Sequence, residues 1–147
     1  MKISTLIKRE YDYAVRICAY LAGHQDKHPI SITKISQLLS ISRPFTNKVI
    51  FKLRKANIIG SAQGRNGGVF LIPNPHQLSV FDVLKAMDFN SVLNECLRNP
   101  LICPIIGFCK IHLFFEELQE MLEQRMREKM ISELVIHDHD LETLLSF

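Results

Sequence analysis

The sequence predicts a mainly α-helical protein with a small β-wing, organised as a winged helix-turn-helix domain followed by a long dimerisation helix. Three observations predict this fold. Apolar residues recur at three- and four-residue steps in three successive segments before residue 56, which is typical of short amphipathic helices. Two β-type stretches flank a glycine-rich turn, and a long amphipathic pattern begins at about Ile111.

The first two helices are marked by residues that favour helix ends. Helix one carries its apolar residues from Tyr13 to Leu21, and Gly23 is expected to end it. Ser31 then precedes a second helical pattern, as an N-cap residue would, because its side-chain oxygen can accept a hydrogen bond from the first turn.

Helix three is predicted to start after Ser42, with Pro44 in its first turn. Two short helices joined by a tight turn, the second beginning with polar and basic residues, form the helix-turn-helix pattern. The side chains expected to be exposed on helix three and to contact DNA are Arg43, Thr46, Asn47, Lys48 and Lys52. Arg43 and Asn47 are the first candidates for base edges, whereas Lys52, Arg54 and Lys55 are expected to face phosphates or, as the alternative, solvent alone.

Residues 61–73 predict a β-hairpin wing. Gly64, Gly67 and Gly68 permit a tight turn, and Arg65 at its tip can enter a minor groove or touch phosphate. A nucleotide-phosphate loop is disfavoured because the glycines fit neither G-x-G-x-x-G nor the P-loop pattern. After the wing, Ser79 is expected to cap a linker helix.

Charge is distributed unevenly along the chain. Residues 1–68 contain twelve Lys and Arg against three Asp and Glu, a net +9, whereas residues 69–147 contain six against twelve, a net −6. Because a positive surface neutralises phosphates, this asymmetry favours double-stranded DNA as the partner of the first half.

The long helix predicts a symmetric homodimer. Its apolar stripe consists of Phe115, Leu118, Leu122 and Met126, and a helix this long buries such a stripe most readily against a partner helix. Dimers of helix-turn-helix proteins bind pseudo-palindromic operators. The expected organisation is a DNA-binding domain at 1–78, then a linker helix, cysteine loop (about 91–110) and dimerisation helix at 79–135, and an uninformative tail at 136–147.

Three cysteines follow the linker helix with the spacing Cys-x6-Cys-x5-Cys: Cys96, Cys103 and Cys109. Zinc favours closer pairs and four protein ligands, whereas iron-sulfur clusters accept more varied spacing, and three thiolates leave one position for another ligand. Two residues are candidates for that position, His112 one helical turn after Cys109 and Asp12 near the start of helix one. Cys18 lies on an apolar helix face and is expected in the core.

Other classes of protein are disfavoured. No apolar run approaches the roughly 18 residues that span a bilayer, and the charged N-terminus is unlike a signal peptide, so a soluble, cytoplasmic protein without a membrane partner is expected. An enzyme using Cys109 and His112 would lack an oxyanion-hole motif, and we expect no catalysis. An electron carrier would not need the basic first half.

Four segments together carry a specific resemblance: YDYAVRICAYLA, LLSISRPFTNKVIFKLRKANII, GRNGGVFLIPNPHQLSVFDVLKAMD, and NEC with the two later cysteines. They resemble the Rrf2 family of winged helix-turn-helix transcription regulators, to about residue 135. The resemblance implies a dimeric, DNA-binding, iron-sulfur-dependent regulator. Many members carry Arg in the wing where Gln63 stands here, and Arg65 is expected to compensate in DNA contact.

Within the family, EYDYAVR looks most like the nitric-oxide-sensing branch. There, an Asp at the place of Asp12 is supplied by the partner subunit to a 4Fe-4S cluster held by three Cys. His112 instead matches the histidine ligand of the cluster-biogenesis branch, which binds 2Fe-2S. The resemblance therefore implies a repressor that senses nitric oxide through a 4Fe-4S cluster, with Arg16 orienting Asp12; the alternative is a 2Fe-2S or iron-responsive regulator of cluster or iron supply.

Overall fold

The computed structural model describes residues 5–26 and 28–145, with the side chains of 144 and 145 excepted. The helices are α1 (Arg9–Ala22), α2 (Ile32–Leu38), α3 (Arg43–Lys55), α4 (Val80–Ala86), α5 (Glu95–Arg98), α6 (Lys110–Glu128) and α7 (Asp138–Leu145), and the strands are β1 (Ile59–Ala62) and β2 (Gly68–Leu71). Single 3-10 turns occupy Pro100–Ile102, Ile106–Phe108 and Ile131–Glu133. The mainly helical fold with a two-stranded wing is confirmed. None of the described helices is long and apolar enough to cross a membrane.

Two of the predicted N-caps form as expected. The hydroxyl of Ser31 accepts from the backbone N–H of Lys34 at 3.2 Å. Ser79 and Asp82 form a reciprocal capping box, in which each side chain bonds the other residue's backbone N–H. Ser42 occupies the N-cap position of α3, with Pro44 in the first turn, but its side chain makes no capping hydrogen bond.

The core forms where α1 packs against α3 and α4. Its members are the fully buried side chains of Ile17, Tyr20, Ile35, Val49, Leu53, Val83, Leu84 and Met87. Burying a side chain of this size stabilises the fold by roughly 1.5–3 kcal/mol relative to leaving it in water. Cys18 is also fully buried, as predicted, and burial raises the pKa of its thiol to about 12. Cys18 therefore stays protonated and uncharged.

The chain returns to this core after α6. The N–H of Ile131 donates to the carbonyl of Leu78, and the N–H of Val80 donates to the carbonyl of Lys129, both at 2.8 Å. Ile131 itself is fully buried against α1. The core that packs against α3 therefore also holds both ends of the segment from Val80 to Lys129, which contains the cysteine loop and α6.

The wing is an antiparallel hairpin extended by one further backbone pairing. Ile59 lies opposite Leu71 and Ala62 opposite Gly68. On the other side of β2, Ile30 and Val69 exchange two N–H to carbonyl hydrogen bonds, both 2.9 Å. In the turn, Gly64 has φ +104°, a conformation that side chains disfavour.

Gly68→Ala is expected to lower the free energy of unfolding by about 2 kcal/mol, because a Cβ on Gly68 would lie 2.3 Å from the carbonyl oxygen of Ile30. The overlap is with backbone, so relief requires separating Ile30 from Val69. Urea unfolding measures the loss. Gly107→Ala is the matched control, since its Cβ would meet nothing within 4 Å, and its stability should stay within about 0.5 kcal/mol of the parent. Equal stability of the two variants would contradict this account of the wing.

The C-terminal tail, for which the sequence shows no pattern, contains α7 and docks on α1. The N–H of Ile136 donates to the carbonyl of Ala19 at 3.2 Å. Asp138 then accepts a hydrogen bond from the Tyr20 hydroxyl at 2.7 Å. Residues 146 and 147 of the tail, and Lys2 and Lys27 of the basic half, lie outside the described residues.

Candidate DNA-binding surface and cysteine loop

Helix α3 has one buried and one exposed face. Val49, Ile50 and Leu53 are buried in the core. Because the helix repeats every 3.6 residues, other side chains of α3 point away from the core. These side chains are all exposed: Pro44, Asn47, Lys48, Phe51 and Lys55. Of the side chains predicted to contact DNA from α3, Arg43, Asn47 and Lys48 are exposed and Lys52 is partly exposed.

The sequence predicts that Thr46 is exposed on α3 and contacts DNA, and this prediction is wrong. Its side chain is fully buried, and its hydroxyl donates to the carbonyl oxygen of Ser42 at 3.0 Å. This bond to the preceding turn satisfies the polar group, so threonine can occupy the core face of the helix. In this position Thr46 has no surface to offer DNA.

Two of the candidate lysines are tied to acids on neighbouring elements. Lys48 Nζ lies 3.4 Å from a carboxylate oxygen of Glu10 on α1. Lys52 Nζ lies 3.2 Å from Asp88, just after α4. Such partly exposed pairs contribute little stability, so either lysine can exchange its acid for a phosphate at small cost. Arg43 donates to the hydroxyl of Thr33 on α2.

Other cations on this side carry no acidic partner in the part of the chain that the structure describes. Within residues 5–26 and 28–145, Arg54, Lys55 and the wing's Arg65 are exposed and form no ion pair. Gln63 is exposed beside Arg65 in the same turn. A surface of α3 and the wing thus combines unpaired cations with Asn47, the composition that phosphate and base-edge contacts require.

Phe51 was missed by the sequence reasoning. It is 68% exposed and lies between Lys48 and Lys55 on the outward face of α3. An apolar residue is usually assigned to the core. Phe51, however, lies at a different position around the helix from the buried Val49, Ile50 and Leu53, and this difference in helical phase predicts that Phe51 is exposed.

The cysteine loop brings two of the three predicted cysteines to the start of α6. Cys109 is the N-cap of α6, and its Sγ accepts from the backbone N–H of His112 at 3.4 Å. Nδ1 of the same His112 lies 3.2 Å from Sγ of Cys96, which belongs to α5. His112 therefore contacts both Cys96 and Cys109. Cys103 follows the 3-10 turn at Pro100–Ile102 and is partly exposed, as are Cys96 and Cys109.

The donor set is chemically suited to an iron-sulfur cluster, since it consists of free thiols with an imidazole beside two of them. Over the described part of the chain, however, no three His, Cys, Asp or Glu residues converge closely enough to hold a metal ion. The loop between Cys96 and Cys109 has little packing of its own, because Leu101 is 93% and Phe108 is 95% exposed.

Asp12 lies on α1 and pairs with Arg16, one turn later. Their Nε and Oδ2 atoms are 2.9 Å apart, and the Asp12 side chain is 43% exposed. The contact expected between Arg16 and Asp12 is therefore present. Neighbours of Asp12 in the sequence contact α3, the helix predicted to read DNA: Glu10 pairs with Lys48, and the ring of Tyr13 meets the ring of Phe45 edge-on at 5.3 Å.

Helix α6 has two adjacent apolar stripes, and the predicted stripe mixes them. Phe115, Leu122 and Met126 are half-buried on the side of the buried Gln119, whose amide bonds the backbone of Ser91 and Leu93. The exposed stripe consists of Ile111, Phe114, Leu118 and Met121, which are 66%, 58%, 37% and 61% exposed. Of the four residues predicted to face a partner, only Leu118 belongs to the exposed stripe.

Comparisons with known proteins agree with this architecture. The HTH-type transcriptional regulator NsrR of Shouchella clausii is 31% identical over 138 residues, 92% of each chain. NsrR of Halalkalibacterium halodurans is 25% identical over 135 residues, covering 91% of this chain and 92% of that protein. Among solved structures, T. potens IscR has a TM-score of 0.70 at 22% identity, with 91% of this chain and 85% of that chain covered.

A second solved structure, CymR (YrzC), the global cysteine regulator of B. subtilis, has a TM-score of 0.65 at 20% identity, covering 91% of this chain and 95% of that one. At these identities the structural likeness shows the shared fold. The family described as "Rrf2: Iron-dependent Transcriptional regulator" matches residues 7–137. Because that match includes α1 to α6 and the wing, this chain belongs to the Rrf2 family of transcriptional regulators.

Proposed function

We propose that this Rrf2 regulator is a homodimeric repressor that binds a pseudo-palindromic operator and senses nitric oxide through an iron-sulfur cluster held by Cys96, Cys103 and Cys109. The observation that carries the proposal is the contact of His112 with both Cys96 and Cys109 at the start of α6. The match to regulators named NsrR over 92% of the chain supports the nitric-oxide-sensing branch. A 4Fe-4S cluster is preferred, with 2Fe-2S as the alternative.

The cysteine loop has the properties of a segment that is ordered by a bound group. Its three thiols lie on short turns rather than in a core, and its largest apolar side chains project into solvent. Thiolates are the usual ligands of iron-sulfur clusters. Such a cluster, when bound, supplies iron that nitric oxide can attack; the thiols of this chain hold it next to α6.

For the fourth ligand we propose Asp12 of the partner subunit, with His112 as the alternative. When Cys96 is a thiolate, its sulfur only accepts hydrogen bonds, so Nδ1–H of His112 would donate to it. This gives His112 a role beside the cluster without ligation. Asp12 is half-exposed, and Arg16 holds its carboxylate in place at 2.9 Å, which suits a ligand presented to another subunit.

The homodimer is proposed to form through α6. The exposed stripe of Ile111, Phe114, Leu118 and Met121 extends over three turns, and it lies beside the apolar cysteine loop. A second copy of α6 would cover this stripe, as helices with such stripes do in dimers. The two α3 helices of the dimer would then face successive major grooves.

Contacts on α1 supply a route from the signal to DNA. Glu10 and Tyr13 flank Asp12 in sequence, and they contact Lys48 and Phe45 of α3. If Asp12 were displaced as a ligand, α1 would be free to shift. Its contacts with Lys48 and Phe45 would carry that shift to α3. The coupling then joins two distinct sites through one packed element.

Asp12→Ala is expected to change the absorption spectrum of the anaerobically purified protein and to alter its response to nitric oxide, because one iron loses its oxygen ligand. His112→Ala should keep a spectrum of the parent type, since His112 is proposed to donate only a hydrogen bond. Iron and sulfide counts, followed by nitric oxide titration with DNA binding as readout, measure both effects. Asp12→Asn is the matched variant that keeps the size of the side chain.

The reverse pattern, an altered spectrum for His112→Ala and a parental one for Asp12→Ala, would assign the ligand to His112 and favour the 2Fe-2S alternative. A protein that binds DNA but incorporates no iron or sulfide under anaerobic reconstitution would contradict the cluster proposal as a whole.

A further inference from the structure

Phe51 is an exposed aromatic residue at the centre of a cationic surface. Its side chain is 68% exposed on the outward face of α3. It lines a groove between α3 and α4 together with four lysines, Lys48, Lys52, Lys55 and Lys85. On its other side it lines a second groove, between α3 and the wing, with Arg54, Ser61 and Ile72.

The fold does not account for phenylalanine at this position. The core face of α3 is complete with Thr46, Val49, Ile50 and Leu53, all at most 2% exposed. Lysine and arginine, which occupy the positions around Phe51, are better helix formers than phenylalanine. A Phe that projects from the middle of a basic helix face gains burial only when a partner covers that face.

The charges around Phe51 identify the partner as a polyanion. Lys55 and Arg54 carry no acidic partner among the described residues, and Lys48 and Lys52 hold only partly exposed acids. Helix α3 is the helix that the helix-turn-helix pattern predicts to read DNA, in a chain that belongs to a family of transcriptional regulators. In the major groove the one apolar group among the base edges is the C5 methyl of thymine, which aromatic and aliphatic side chains contact.

We infer that Phe51 is a specificity-determining residue, which packs on the C5 methyl group of a thymine in the major groove while Arg54 and Lys55 bind the flanking phosphates. This inference rests on DNA binding by α3, and it is independent of the cluster and its signal. Asn47, one turn earlier on the same face, is exposed and available for the hydrogen bonds to a neighbouring base. Phe51 thus adds an apolar contact to the exposed face of α3, whose other candidate contacts are with the polar edges of bases and with phosphates.

The test uses the anaerobically purified, full-length protein and a pool of DNA duplexes with a random central segment. The duplex enriched by the parent protein is resynthesised with deoxyuridine replacing thymine at one position at a time, which removes only the methyl group. At one position in each half-site, the parent should lose about fourfold in affinity, the value for one carbon group of this size withdrawn from water. Phe51→Ala should bind thymine and deoxyuridine duplexes equally, and Phe51→Leu should retain part of the preference.

Arg54→Ala is the matched control on the same helix. It should weaken binding to every duplex and reduce the salt dependence by about one unit of slope, while the thymine preference stays intact. Parent protein that binds DNA without any dependence on thymine methyl groups would overturn the role of Phe51 alone. Equal weakening by Phe51→Ala on all sequences would also overturn it. No enrichment of any duplex by the parent would overturn the DNA-binding assignment as well.

Discussion

Replacing Cys109 with alanine is expected to abolish binding of the proposed iron-sulfur cluster, so that iron, sulfide and visible absorption fall to background after anaerobic reconstitution. The loop offers three thiolates as iron ligands, and the variant would keep only two of them, Cys96 and Cys103. Of these two, only Cys96 lies beside His112. The DNA affinity of the variant should then no longer respond to nitric oxide. Elemental analysis, absorption and a DNA-binding titration with and without nitric oxide measure the three effects.

Two further variants isolate the cause of that loss. Cys109 is also the N-cap of α6, so Cys109→Ala disturbs the start of the helix. Cys109→Ser keeps an oxygen that can accept from the N–H of His112, and it should lose the cluster while keeping α6. Cys18→Ala changes a fourth cysteine that is fully buried and uncharged, and it should keep the full iron content. Cluster retention in Cys109→Ser would contradict the ligand role of Cys109.

The elements that the sequence predicts correctly are those with local signals. Ser31 caps α2 through Lys34, and Ser79 caps α4 through Asp82, each within three residues. The turn of the wing follows from Gly64, whose positive φ needs no distant partner. These features can be predicted because the interacting groups are close together in the chain.

The errors concern features that depend on packing. Polarity alone predicts that Thr46 is exposed, but its hydroxyl is satisfied one turn back and its methyl group enters the core. On α6, periodicity detects one broad apolar face, whereas Gln119 and its bonds to Ser91 and Leu93 decide which half of that face turns inward. The phase of a helix relative to its neighbours cannot be determined from its own residues.

Candidate ligands illustrate the same division. The cysteine spacing indicates the three thiols, and local geometry brings His112 to Cys109 within one helical turn. The contact between His112 and Cys96 depends on how α5 meets α6, which no spacing predicts. The role proposed for Asp12, a ligand supplied by the partner subunit, involves a second chain, and the pattern of one chain does not predict such a contact.

The position of the C-terminal tail against α1 could not be predicted from local patterns either, because the residues that it contacts are more than a hundred positions away in the sequence. Asp138 accepts from the buried Tyr20 hydroxyl at 2.7 Å and lies 3.2 Å from Nε2 of His24, whose side chain is 3% exposed. Nδ1 of His24 donates to the carbonyl of Tyr20 at 2.7 Å, since a carbonyl can only accept. The contact with Asp138 is therefore a hydrogen bond when the ring carries both protons. Lys34 of α2 approaches the same carboxylate at 3.8 Å.

Asp138→Ala is expected to lower the free energy of unfolding by about 2 kcal/mol near neutral pH, because it leaves the buried Tyr20 hydroxyl without its acceptor. Glu142→Ala, at an exposed position of the same helix, should change stability by no more than about 0.5 kcal/mol. Urea unfolding at a series of pH values measures both. If the two variants were equally stable, the tail would contribute nothing through Asp138.

The pH dependence gives the prediction a second, independent readout. The Tyr20 hydrogen bond, with help from Lys34 and His24, holds the pKa of Asp138 below its ordinary value. A carboxyl whose folded pKa is lowered stabilises the fold above its unfolded pKa, about 4, and loses that contribution as pH falls through the folded value. The difference between the parent and Asp138→Ala should therefore be present from neutral pH down to about 4 and shrink below it. Burial, and then the bond to Asp138, raises the pKa of Tyr20, so its contribution fails only in strong alkali. A difference that grew as the pH fell below 4 would mean that the carboxylate is not what holds α7 against α1.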